Sequence, residues 1–157
     1  MNRKGFTLVE LAIVLVIIGL ILGAVFKGKD LINSAKGKSY ANKLRAIEIA
    51  EATYYDKNQT PATTTEELKT IDGITDATFK IGDANINITD NSTEFEGVGN
   101  MTSNNTNICA YFDAGTGNAT VSGTVLEFMD RAIDDGNVSS GYFAQKSGNT
   151  TVYYKIW

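Results

Sequence analysis

The sequence predicts an α+β protein in which one long N-terminal helix, transmembrane in its first half, packs on a C-terminal antiparallel β-sheet head. Three observations predict it. An unbroken apolar run extends from Phe6 to Phe26, helical periodicity continues with no proline before Pro61, and after Lys57 the composition turns to Asn, Thr, Gly and Asp. Of the 157 residues, 43% are hydrophobic, enough for a modest core. There is no histidine and one cysteine, Cys109, which removes Ser-His and Cys-His nucleophile pairs, histidine metal sites and an intrachain disulfide. The net charge of −4 conceals an asymmetry: nine basic and five acidic residues lie up to Lys57, and five basic and thirteen acidic residues follow it. A basic stalk precedes an acidic head.

Residues 6–26 make a helix of about 21 residues, long enough to cross a hydrocarbon core of about 30 Å. Arg3 and Lys4 precede it with no acidic neighbour, which places the N-terminus in the cytoplasm and everything after Phe26 outside. Lys27 and Lys29 can snorkel at the far edge. Leu22-Gly23-Ala24 is a poor site for an ordinary secretory signal, because Leu22 is bulky. Glu10 is the anomaly: a carboxylate inside the apolar run, costly against hydrocarbon unless it finds a partner.

The run Met1-Asn2-Arg3-Lys4-Gly5 followed by Phe6-Thr7-Leu8-Val9-Glu10-Leu11 resembles the class III signal of type IV prepilins and of the pseudopilins of type II secretion systems. The resemblance implies four segments: a leader (1–5), a transmembrane and polymerisation helix (6–26), its amphipathic continuation (27–57) and a globular head (58–157), together the pilin fold. It implies cleavage after Gly5 by a membrane prepilin peptidase, which also methylates the new amino group of Phe6. It further implies that Glu10 pairs with the Phe6 ammonium of a neighbouring copy. Each charge would offset the other's desolvation, and stranding one would cost about 3–5 kcal/mol. Glu10 is then an assembly residue. The implied partners are further copies in a helical filament, the peptidase, an inner-membrane assembly machinery and, before assembly, the membrane itself.

Along the continuation, Tyr40, Leu44, Ile47 and Tyr54 recur at helical steps. Gly19, Gly23, Gly28 and Gly37 are either soft points or sites of close packing. Lys36, Lys38, Lys43 and Arg45 make the stalk basic, but Glu48 and Glu51 interleave with them. Complementarity with the acidic head of a neighbour is therefore favoured over direct contact with nucleic acid. Tyr54 and Tyr55 are read as contacts between stalk and head.

In the head, Thr64 and Glu67 form a capping box for a short helix. Strands are expected over Thr78–Ile81, Asn85–Thr89, Glu94–Val98, Ile108–Asp113, Ala119–Thr124 and Thr151–Ile156, with hairpin turns at Gly115–Asn118 and Ser147–Asn149. Thr124 and Glu127 would cap a second helix whose apolar face is Leu126, Met129 and Ile133 and which stops at Gly136. Asp130, Asp134 and Asp135 cluster at its end. They are a candidate calcium site, which the resemblance to pseudopilins reinforces, although the regular Asp-x-Asp spacing is missing and no cofactor is otherwise expected. Cys109 reads as a small buried apolar side chain.

The expected function is structural: a pilin-like filament subunit, not an enzyme, resident in the inner membrane and then in an extracellular fibre serving adhesion, motility or DNA uptake. Two alternatives remain, a periplasmic pseudopilin of type II secretion and a monomeric membrane-anchored module that binds calcium or another ligand.

Overall fold

The computed structural model describes residues 5–90, 98–99, 108–115 and 121–156. Helix α1 runs over Leu8–Asn58, 51 residues, or roughly 76 Å at 1.5 Å per residue. Thr7, in extended conformation, caps its start, and Gln59, in the left-handed region, ends it with an amide bond back to the Tyr55 carbonyl. Among the described residues, none covers the apolar half of the helix. Its most apolar window, with a mean hydropathy of 3.0, is 0% buried. Burial begins at Gly37 and continues through Ala41, Leu44, Ile47, Ala50 and Glu51, steps of three and four that mark one face.

Against that face lie α2 (Thr65–Leu68), a two-stranded pair of β1 (Lys80–Ile81) and β2 (Ala84–Asn85), β3 (Asn87–Thr89), β4 (Cys109–Asp113), α3 (Gly123–Ile133), β5 (Phe143–Gln145) and β6 (Thr151–Lys155). The four-stranded sheet has the order β3-β4-β6-β5, and all its pairings are antiparallel. The period of two assigns its faces. Ile88, Ala110, Phe112, Phe143, Val152 and Tyr154 join Leu44, Ile47 and Met129 in the main core, while Cys109, Ala144 and Tyr153 form a small cluster with Val98 on the other face. Tyr111 and Tyr153 stack there at 5.7 Å between centroids. Cys109 is fully buried, and burial pushes its thiol up to about 12, so it is an apolar filler as expected.

The Thr64–Glu67 box forms as the pattern predicts. The Thr124–Glu127 box does not. Helix α3 begins two residues earlier, with Ser122 at the cap and making no side-chain bond, so Thr124 is already inside the helix. The strand expected at Ala119–Thr124 is accordingly replaced, from Val121, by a single backbone bond to Ala114 and then by α3. Asn85–Thr89 divides at Ile86 into β2 and β3, because the Ile86 amide bonds back to Phe79 and closes the β1–β2 turn. Strand β5 was not anticipated: Phe143-Ala144-Gln145 is too short to show alternation. The Ser147–Asn149 hairpin joins β5 to β6. Most of Glu94–Val98, residues 116–118 of the other expected hairpin, Arg3 and Lys4 lie outside the described residues.

The four stalk glycines separate into two kinds. A Cβ on Gly19, Gly23 or Gly28 would meet nothing within 4 Å, whereas one on Gly37 would lie 2.5 Å from Phe128 Cβ and 3.1 Å from the Met129 amide. Gly37 is therefore a point of close approach between α3 and α1. Gly37→Ala is expected to destabilise the head by about 1–3 kcal/mol, seen as a lower denaturant midpoint at unchanged m-value. Gly28→Ala leaves the midpoint unchanged or slightly raised.

Candidate functional site

The candidate site is the start of α1, where Gly5 and Phe6 precede the helix and Thr7 caps it. Glu10 is the third helical residue and folds back on that cap. Its Oε2 accepts from the Thr7 amide at 2.8 Å and from the Thr7 hydroxyl at 2.9 Å, while the Glu10 amide donates to Thr7 Oγ1 at 3.3 Å. This is a reciprocal capping box. The carboxylate is thus not stranded in the single subunit, and the 3–5 kcal/mol expected for an unpaired charge is an upper bound here. Thr7 is a functional residue beyond those expected from sequence, although Thr7-x-x-Glu10 carries the same spacing that identifies Thr64 and Glu67.

From Leu8 to Phe26 the large apolar side chains are 47–85% exposed, so the helix that follows Glu10 offers a continuous apolar surface long enough to cross a membrane. Lys27 and Lys29 follow it, exposed.

Farther along the stalk, the charged residues read from sequence as a surface for neighbours are largely committed within the subunit. Lys43 Nζ donates to the carbonyls of Ala77 at 2.9 Å and Lys80 at 2.7 Å, and the Arg45 guanidinium donates to the Ala132 carbonyl at the end of α3. Glu48 accepts from the Tyr154 hydroxyl at 2.6 Å. Glu51 is fully buried; its Oε1 accepts from the Ala62 amide at 2.9 Å and its Oε2 has no partner among the described residues. Burial raises its carboxyl above the usual range. Lys36 and Lys38 remain exposed. Tyr54 packs against the core as expected, but Tyr55 is 40% exposed.

The three aspartates near the end of α3 do not converge. Asp134 accepts from the Tyr142 amide, and Asp135 accepts from the Asn137 amide at 2.8 Å and the Ser140 hydroxyl at 3.1 Å. Asp130 is fully buried, with neither carboxylate oxygen hydrogen-bonded among the described residues. No group of three or more acidic or cysteine side chains is arranged to hold a metal among the described residues. As arranged, Asp130, Asp134 and Asp135 do not fit the calcium site that the sequence suggested.

The Asp130 carboxyl is pushed up to about 6, first by burial and then by the charges of Asp135 and Asp134. The nearby Gly136 amide opposes this only weakly, without a bond of ordinary geometry. The folded state therefore holds this proton more tightly than the unfolded chain does, whose ordinary value is 3.8. For this group, stability is fullest below about pH 4 and is lost as pH rises through about 6. Asp130→Asn should stabilise the head by about 1–3 kcal/mol at pH 7.5 and by nothing measurable at pH 4. Denaturant unfolding at the two pH values checks this.

No curated protein and no solved structure matches the chain. Residues 1–26 match the sequence model of the prokaryotic N-terminal methylation motif. The matched stretch holds Gly5, Phe6, the Thr7–Glu10 box and the apolar helix up to Phe26. It implies processing by a prepilin peptidase and assembly of the pilin type, and the apolar helix suits membrane anchoring before assembly. With its long helix and antiparallel head consistent with the pilin fold, the chain carries the class III prepilin signal of type IV pilins and pseudopilins.

Proposed function

We propose that this chain is the structural subunit of a type IV pilus-like filament. It is cleaved after Gly5, N-methylated at Phe6, and polymerised with its apolar helix inside and its head outside. The observation that carries the reading is the wholly uncovered apolar half of α1, with a single carboxylate at its start. Such a surface needs lipid before assembly and copies of itself afterwards. A heterologous contact repeated between identical chains generates an open helix, which is a fibre. In that fibre the Glu10 carboxylate meets the Phe6 ammonium of the adjoining copy, which fixes the docking position.

The work of the fibre is mechanical rather than catalytic, in adhesion or motility, and direct contact of the stalk with nucleic acid is disfavoured, since two of its four basic residues, Lys43 and Arg45, already hold the head. The subunit resides in the inner membrane before assembly and in an extracellular fibre after it.

Glu10→Ala separates an assembling subunit from a monomeric anchor. Filaments sheared from producing cells should contain the wild-type chain beginning at methylated Phe6. The variant should be processed yet remain in the membrane, with filament yield reduced more than tenfold. Recovery of a solitary wild-type chain that still begins at Met1 sinks the proposal.

A further inference from the structure

In the single subunit Glu10 already has a fixed position, and its two oxygens are unequal. Oε2 takes both Thr7 donors, at 2.8 and 2.9 Å, while Oε1 accepts no hydrogen bond among the described residues. A glutamate side chain has three rotatable bonds, and immobilising it when a partner docks is costly. Here the immobilisation precedes docking. The Thr7 cap is extended, with φ −74° and ψ 151°, so the backbone at the helix start is set by the same box.

We propose that Thr7 is a positioning residue for assembly: its hydroxyl and amide clamp Oε2 so that Oε1 is presented to the ammonium of an incoming copy. This inference rests on the filament reading above. Docking then adds a charge-assisted bond at Oε1 without dismantling the bonds at Oε2, and the docked carboxylate is satisfied on both sides. The hydroxyl contributes twice, as donor to Oε2 and as acceptor from the Glu10 amide. Serine can reproduce both contacts and valine neither. Glycine caps a helix nearly as well as threonine but has no hydroxyl, so it separates the start of the helix from the clamp on Glu10.

The test uses the full chain in producing cells. Mass spectrometry of the N-terminus reads cleavage, and the sheared fraction reads filament yield. Thr7→Val and Thr7→Gly should both be cleaved, with filament yield falling about three- to tenfold, and Thr7→Ser should stay within about twofold of wild type. Wild-type yield from Thr7→Gly overturns the proposal, because the role of Thr7 would then be helix capping alone. Wild-type yield from Thr7→Val, or loss of yield in Thr7→Ser, overturns it as well. Glu10→Gln tests the parent reading separately, since glutamine can still close the box but carries no charge. If it assembles as wild type does, the ion pair is wrong, and the presentation of Oε1 falls with it. If it fails to assemble while the three Thr7 variants all match wild type, the ion pair stands and the clamp alone is refuted.

Discussion

An uncovered apolar helix is the constraint to which the rest of the molecule answers. From Leu8 to Phe26 none of the described residues of the head covers α1, and a sheet whose longest described strands have five residues could not cover it. In lipid the helix is satisfied, because all its backbone bonds are internal. Lipid also removes the hydrophobic drive that would bring two such helices together, so packing and polar contacts must supply specificity. In the described membrane segment the charge able to do this is Glu10, and the chain holds it in the first turn. There it lies one helical turn from Phe6, the residue that the proposed cleavage would make the N-terminus.

The other half of α1 behaves differently. Its buried face supplies Leu44 and Ile47 to the core, and four charged residues reach four separate parts of the head: Lys43 the turn before β1, Arg45 the end of α3, Glu48 strand β6, and Glu51 the loop after Pro61. Hydrogen bonds to charged groups contribute about 1.5–3 kcal/mol each where they are shielded from water. Together with the close crossing at Gly37, they fix the head on the stalk in one orientation. Asp130 and the second oxygen of Glu51 work against this, each a buried acceptor without a donor among the described residues.

The architecture was legible in sequence because its main signals are long. Twenty-one apolar residues, a fifty-residue helical periodicity and a change of composition survive any local misreading. The site was legible because Glu10 is out of place among its neighbours, and chemistry that contradicts its surroundings is easy to see. Thr7 went unnoticed because threonine at a helix start contradicts nothing. The stalk charges were misjudged for a related reason: periodicity alone does not say whether a side chain faces solvent or a segment folding back on it, from 11 residues away for Glu51 and from 34 and 37 for Lys43. The second capping box failed because two starts two residues apart, at Ser122 and Thr124, are nearly degenerate in pattern, and the packing of α3 on α1 decides between them.

Strand β6 is the last element in chain order, yet it occupies the interior of the sheet, paired with β4 on one side and β5 on the other. Until it arrives, β4 has only β3 beside it and β5 has no partner strand. The β5–β6 hairpin is local, but its union with β4 pairs Cys109 with Lys155 through Asp113 with Thr151, a long-range step that also brings Tyr154 to Glu48. The β3–β4 pair and the β5–β6 hairpin thus become one sheet only through contacts that no local turn supplies.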